Sequence, residues 1–341
     1  MSSIKKIVCT KLGSKFTECT EIVSAPLKEP AKSQVLVKLG AVGINASDIN
    51  FTSGHYFSSP PQMPFDCGFE GIGTVVSVGD DLKEKFQPGD AVYVMKYGCF
   101  ATHVYGNAKT VFKVPSTDPA FIALMTSGLT ASIALAEAGK MKAKQTVLVT
   151  AAAGGTGQFA VQLAKLKGCT VIGTCSSKEK VDFLKSIGCD RAINYKTESL
   201  DEVLAKEYPN GVDLVYESVG GATFETCVKH LAVKGKLVVI GAVSQYQDQS
   251  AWDTSKGGAS SLSKVPVASL LLKKSATVTG FFLLHYSQFL AAHAKTLFQL
   301  YLQGKISAGI DKKEWKGLQE VPQAIQWLFE GKNSGKIIVK L

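Results

Sequence analysis

No C-x-x-C pair, no H-E-x-x-H run and no Cys/His cluster occurs in the 341 residues. The eight cysteines (Cys9, Cys19, Cys67, Cys99, Cys169, Cys175, Cys189 and Cys227) lack the spacing of a disulfide framework. That predicts reduced thiols in an intracellular protein. The histidines (His55, His103, His230, His285 and His293) give no positive case for a metal. Low-complexity tracts and short-period repeats are absent. Met1 to Gly13 has no apolar signal core, and a strand is expected almost at once, at Ile4 to Cys9. The uncharged stretch Pro119 to Ala136 is long enough to suggest a membrane span. Thr126, Ser127, Gly128, Thr130 and Ser132 interrupt it, so two short helices around a polar turn are expected in a soluble chain without a membrane span.

Charge is unbalanced but not clustered. The net charge is +10, with the lysines scattered and only pairs such as Lys5-Lys6, Lys273-Lys274 and Lys312-Lys313. A basic stripe with interleaved aromatics is missing, which argues against nucleic-acid binding. Anionic substrates or a phosphate-rich cofactor account for part of the excess. The length suggests two domains rather than one core.

What is present centres on Thr146 to Gly157. The apolar run Val147, Leu148, Val149 reads as a buried parallel strand. A turn of small residues follows, Ala152-Ala153-Gly154-Gly155-Thr156-Gly157. An amphipathic segment from Gln158 to Lys167 comes next. Strand, tight turn and helix set a pyrophosphate against N–H groups at a helix N-terminus. Ala152 replaces the first glycine of G-x-G-x-x-G, so the bare pattern is weak. A second apolar run, Cys169 to Thr174, lies one helix further on, as a βαβ unit requires.

The second strand ends in Thr174-Cys175-Ser176-Ser177-Lys178-Glu179-Lys180. NAD sites place an acid here for the ribose 2′-OH. Ser176 and Lys180 instead offer a hydroxyl and a counter-charge for a 2′-phosphate, which favours NADPH over NADH. Ser176 or Ser177 can equally be a helix N-cap, with Lys180 on a solvated face.

Strand-like runs and turn signals dominate the first 115 or so residues, with strands expected at Val35 to Leu39, Gly71 to Val78 and Ala91 to Met95. From about 121 to 285 strands and helices alternate. Strands are expected at 146–150, 170–174, 213–216, 236–240 and 276–281. Helices are expected near 156–167, 177–187, 199–207 and 221–231. That order reads as a doubly wound parallel sheet. Helices near 287–303 and 320–330 and a strand from Lys336 to Lys340 close the chain. The polar stretch Ser244 to Ser263 is long for a connection, and reads as a lid or a surface loop.

Several stretches together resemble the medium-chain dehydrogenase/reductase superfamily over essentially the whole length. They are Gly43-Ile-Asn45-Ala-Ser-Asp48, Gly68-Phe69-Glu70-Gly-Ile-Gly-Thr-Val, Pro88-Gly-Asp-Ala-Val, Thr126-Ser-Gly128-Leu-Thr-Ala, the glycine turn, and Gly188-Cys-Asp-Arg-Ala-Ile-Asn-Tyr195. Tyr216-Glu-Ser-Val-Gly-Gly and Lys332-Asn-Ser-Gly-Lys are similar to the quinone-oxidoreductase branch and, within it, the peroxisomal type of prostaglandin reductase. The resemblance implies an α/β fold. A GroES-like β-rich catalytic domain would comprise residues 1–120 and 287–341, and a Rossmann NADPH-binding domain residues 121–286.

Zinc alcohol dehydrogenases carry a Cys ligand where this chain has Asn45, and Gly-His-Glu where it has Gly68-Phe69-Glu70. The four-cysteine structural zinc lobe is missing too. A zinc-free reaction is therefore implied: hydride addition to the β-carbon of an enone or alkenal, or to a quinone, whose product charge is delocalised. By resemblance, Gly154, Gly155, Thr156 and Gly157 form the pyrophosphate turn, and Ser176, Lys180 and Tyr195 hold the 2′-phosphate. Ser218 and Ile240 line the adenosine and ribose side. Phe281, Phe282 and Leu283 offer backbone contacts near the nicotinamide, and Asn333 closes the site. Catalytic candidates are Asn45, Tyr56 and Tyr246, any of which would donate to a carbonyl oxygen or touch the cofactor. No metal is expected.

The resemblance thus implies an NADPH-dependent reductase of enones, alkenals and 15-oxoprostaglandin-like lipids. The alternatives are a quinone reductase, or a non-enzymatic NADPH- or RNA-binding protein like the crystallin relatives. Relatives pair nucleotide-domain edge strands, which implies a homodimer. The C-terminal Val339-Lys340-Leu341 departs from a peroxisomal Ser-Lys-Leu at its first position, so the expected compartment is the cytoplasm, with the peroxisome as alternative.

Overall fold

A computed structural model describes residues 3–247 and 267–341. The chain divides into two compact units, Met1–Thr126 with Ile310–Leu341, and Ser127–Gly309.

In the first unit, β2 (Thr20–Pro26), β1 (Ser3–Cys9) and β4 (Phe65–Asp66) form a small sheet. A larger sheet runs in the order β15 (Trp315–Lys316), β16 (Ile338–Lys340), β3 (Val35–Gly43), β5 (Glu70–Val78), β6 (Ala91–Met95) and β8 (Val111–Lys113). A seventh strand, β7 (His103–Gly106), pairs with β3 as well. Val35, Val37, Leu39, Ile72, Val92 and Val94 are buried in it. Register matters most at one point. Gly43 lies opposite Glu70 on one side and Ile338 on the other. Three segments far apart in sequence therefore meet at the end of β3.

The second unit is the expected parallel sheet. Its order is β11 (Arg191–Asn194), β10 (Thr170–Cys175), β9 (Thr146–Val149), β12 (Val212–Glu217), β13 (Leu231–Val239) and β14 (Thr277–Gly280). Counted along the chain this is 3-2-1-4-5-6, the dinucleotide-binding order, with its switch point between β9 and β12. Val147, Leu148, Val149, Val171, Ile172, Val215 and Leu237 are buried. Unbroken apolar runs are what a sheet covered by helices on both faces requires. Helices Gly157–Leu166, Lys178–Ser186, Leu200–Glu207 and Gly221–Lys229 fill the crossovers.

Four expectations need correction. Pro119 to Ala136 is not two helices around a turn. Ala120–Ala138 is helical throughout, with wide turns over Ala123–Gly128 and Ala134–Ala138. Its hydroxyls do not break it because they find partners: Thr126 bonds Tyr93 at 2.5 Å, and Ser132 bonds His293 at 2.7 Å. By length and composition this helix would be able to cross a membrane, but 78% of it is buried inside the protein.

The unit boundaries differ from 121 and 287, falling at Thr126/Ser127 and Gly309/Ile310. Helix Leu290–Leu302 therefore belongs to the second unit, where the Ser132–His293 bond fastens it. β11 was not among the expected strands. It is short and opens with Arg191, which pairs with Glu198 and Glu207. β13 starts at Leu231 rather than 236, with an irregularity against β12. The Ser244 to Ser263 loop lies largely outside the described residues.

Candidate active site

The second unit places every nucleotide candidate it contains after the C-terminal end of a parallel strand. Beyond β9, Ala151 adopts φ +47° and carries the left-handed conformation that glycine usually takes in this turn. Gly157 opens the following helix. A Cβ there would stand 2.5 Å from the Ala151 carbonyl oxygen and 2.7 Å from Ala152 Cα. Only glycine allows helix and strand to approach so closely, and the turn is a cradle that a side chain would fill.

Beyond β10, Ser177 rather than Ser176 caps helix Lys178–Ser186, its Oγ accepting from the Lys180 N–H at 3.3 Å. That leaves the Ser176 hydroxyl outside the cap. Tyr195 follows β11 and is 52% exposed. Its N–H donates to the Cys175 carbonyl, which holds it beside the Ser176 turn.

Beyond β12, Ser218 has a buried Oγ with no hydrogen-bond partner among the described residues. A polar atom so placed calls for a ligand. The Ser218 N–H donates to Thr150 Oγ1 at 2.8 Å, and Thr150 donates to Glu217 Oε1 at 3.2 Å. These bonds tie β9 to β12 across the switch point. Burial pushes the Glu217 carboxyl up, while donors from Val219, Gly220 and Thr150 pull it back.

Ile240 follows β13 and donates its N–H to the Glu217 carbonyl at 2.7 Å. Tyr246 is buried and folds back, its hydroxyl accepting from the Ala242 N–H at 3.1 Å. Phe281 and Leu283 follow β14 with their side chains buried, while Phe282 between them is 37% exposed.

The first unit holds the remaining candidates. Asn45 follows β3. Its Nδ2 donates to Glu70 Oε1 at 2.8 Å, and its Oδ1 accepts from Lys336 Nζ at 2.7 Å. Lys336 also lies 2.5 Å from Glu70 Oε1, and both charged side chains are buried. Glu70 Oε2 accepts from the Tyr93 hydroxyl at 2.7 Å. The Asn45 backbone N–H donates to Asp48 Oδ2 at 2.8 Å.

Asp48 is itself buried, and desolvation raises its carboxyl to about 7 against the pull of the Asn45 N–H and Lys336. Helix Ser47–Thr52 carries Asn50, whose Nδ2 donates to the Tyr56 hydroxyl at 3.2 Å. Beside it Phe51 stacks on Tyr97 at 3.6 Å, and Phe69 packs 5.1 Å from Tyr97, an apolar aromatic wall. Asn333 is buried in a turn, one N–H donated to the Gly335 carbonyl at 2.9 Å.

Sequence reading missed Tyr93 and Thr150. Asp48, Glu70 and Lys336 stood in recognised motifs without a role. Lys336 closes the quoted Lys332-Asn-Ser-Gly-Lys stretch, but its role was not legible because it bonds a residue 291 positions away.

Two family models match the chain, an alcohol dehydrogenase GroES-like domain over residues 31–150 and a zinc-binding dehydrogenase over residues 155–297. A probable quinone oxidoreductase of Leishmania amazonensis is 45% identical over 100% of this chain and 98% of its own length. Prostaglandin reductase-3 of Mus musculus is 45% identical over 99% of this chain and 90% of its own. The chain belongs to the medium-chain dehydrogenase/reductase superfamily. Among solved structures, the NADPH complex of Escherichia coli quinone oxidoreductase matches with a TM-score of 0.84 and 27% identity, covering 99% of this chain and 100% of that one. The chain is an oxidoreductase of the quinone-oxidoreductase branch.

The zinc in that family name can be tested against the donors present. Phe69 has no ligating atom. Both Glu70 oxygens are engaged, one of them by an ammonium that would repel a dication. These residues do not fit a zinc ion. Among the described residues no group of three or more His, Cys, Asp or Glu side chains is placed to hold a metal.

Proposed function

We propose that this protein is an NADPH-dependent, zinc-free reductase of the α,β double bond of enones and alkenals. The observation that carries the reading is the Asn45 amide. A lysine can only donate and a carboxylate only accept, so contacts to both leave one orientation. Oδ1 faces Lys336 and Nδ2 faces Glu70. One Nδ2 proton is engaged by Glu70, and the second is the donor offered to substrate.

NADPH supplies the hydride when bound. Gly154, Gly155, Thr156 and Gly157 would receive its pyrophosphate, Ser176, Lys180 and Tyr195 its 2′-phosphate, and Ser218 its ribose side. When the substrate β-carbon is reduced, charge grows on the carbonyl oxygen. A fixed neutral donor stabilises that oxyanion without reorganisation. Tyr56, oriented by Asn50, offers its hydroxyl as a second donor, and Phe69 and Tyr97 offer apolar surface to an unsaturated lipid. The names of two relatives fit this substrate class. Prostaglandin reductase-3 is one, and 2-alkenal reductase (NADP(+)-dependent) of Nicotiana tabacum is the other, 32% identical over 79% of this chain.

A quinone substrate is the second reading, favoured by the name of the Leishmania relative. NADPH consumption with enone and quinone panels, followed by product analysis, separates them. A saturated ketone or aldehyde supports the first reading, and a quinol alone supports the second. We also propose a homodimer paired along the edge strand β14, which bonds β13 on one side. Light scattering reads the oligomeric state.

A further inference from the structure

Lys336 and Glu70 form an ion pair that is almost fully removed from solvent, at 2% and 0% side-chain exposure. Burying two charges costs several kcal/mol per ion, and apolar replacements often stabilise a fold as well or better. Stability alone is a poor reason for a lysine here. What the pair does is visible in its third member. Lys336 Nζ, Glu70 Oε1 and the Asn45 amide close a triangle with sides of 2.5, 2.7 and 2.8 Å.

The triangle cannot shift. Glu70 is pinned from the far side by Tyr93, which in turn bonds Thr126. A Cβ on Gly43 would stand 2.5 Å from Glu70 Oε1 and 2.7 Å from Ile122 Cγ2, so no slack exists on the β3 side. Lys336 is delivered by the chain just before β16, whose pairing with β3 sets its place.

We infer that Lys336 is a positioning residue for the reduction, fixing the Asn45 amide so that its second Nδ2 proton is presented to the substrate oxygen that gains charge. This rests on the reading of Asn45 as the donor. Two effects act together. The ammonium at Oδ1 and the carboxylate at Nδ2 forbid the flipped amide, which would set NH2 against a donor and its oxygen against an acceptor. It also withdraws electron density through the amide, and hydrogen bonds in such a chain strengthen one another. The amide then becomes a better donor to an oxyanion than a free one would be. Where zinc enzymes set a metal ion, this chain sets a side-chain cation acting through an amide.

The test uses the full-length protein loaded with NADPH. Lys336→Met leaves Glu70 buried without its partner and is at risk of misfolding. The double variant Lys336→Met with Glu70→Gln removes both charges and keeps the shapes. It is expected to bind NADPH within about twofold of wild type and to keep KM. kcat should fall roughly tenfold or more, because the donor stays but is no longer held, where outright loss of an oxyanion donor costs about 10²–10³. A folded double variant with kcat within about twofold of wild type overturns the inference.

A second readout needs no turnover. With isotope-labelled asparagine, the Asn45 side-chain amide signals should move in the double variant. Unmoved signals also overturn it. Wild-type protein that turns over neither enones nor quinones sinks the proposed function itself, a result distinct from an active wild type with an indifferent variant.

Discussion

The backbone N–H of Asn45 donates to Asp48 Oδ2 at 2.8 Å, so a buried carboxyl sits directly under the candidate donor. Desolvation lifts Asp48 to about 7, with Lys336 pulling down and Glu70 pushing up. A carboxyl raised in the folded state favours folding in full below its unfolded value. That contribution is lost as pH rises through the folded value. Wild-type stability should therefore decline between about pH 4 and pH 7 with a one-proton slope of about 1.4 kcal/mol per unit. Asp48→Asn should flatten that decline and be the more stable form at pH 8. Denaturant melts at four pH values check this, and an unchanged slope in the variant would refute it.

Tyr56 accepts from Asn50 at 3.2 Å, which orients its hydroxyl. Tyr56→Phe should lower kcat several-fold with little change in KM. Steady-state kinetics on the best enone substrate decide it. An unchanged kcat removes Tyr56 from the chemistry.

Gly157 meets backbone, not a flexible side chain, at 2.5 and 2.7 Å. Gly157→Ala must therefore push helix and strand apart, at a cost of about 1–3 kcal/mol. Thermal melting should show the loss, and NADPH titration should show weakened affinity in the variant that still folds. Wild-type affinity would mean that the turn is not the pyrophosphate cradle.

Lys180 stands one turn into the helix that Ser177 caps. Lys180→Ala should weaken NADPH by roughly tenfold, the worth of one charge-assisted contact, and leave NADH nearly unaffected. Fluorescence titration with both cofactors separates the cases. Equal losses would place Lys180 away from the 2′-phosphate.

What could be read from the chain alone was mostly local. Apolar runs bounded by turns marked β9, β10 and β12, because a strand buried on both faces is predominantly apolar. The glycine turn and the serine-lysine segment after β10 were legible because each candidate set lies in one short stretch after a strand. β11 escaped, being four residues long and opening on a charge. Helix Ala120–Ala138 was misread, because the partners that satisfy Thr126 and Ser132 lie in distant segments.

The sequence by itself determined most of the order of strands and helices, and with it the parallel sheet of dinucleotide-binding order. Only the tertiary structure decided what surrounds Asn45. The pairing of β16 and β5 on either side of β3 brings Lys336 and Glu70 to Asn45. Burial then makes that contact matter, since charges removed from water must satisfy one another and thereby fix the amide between them.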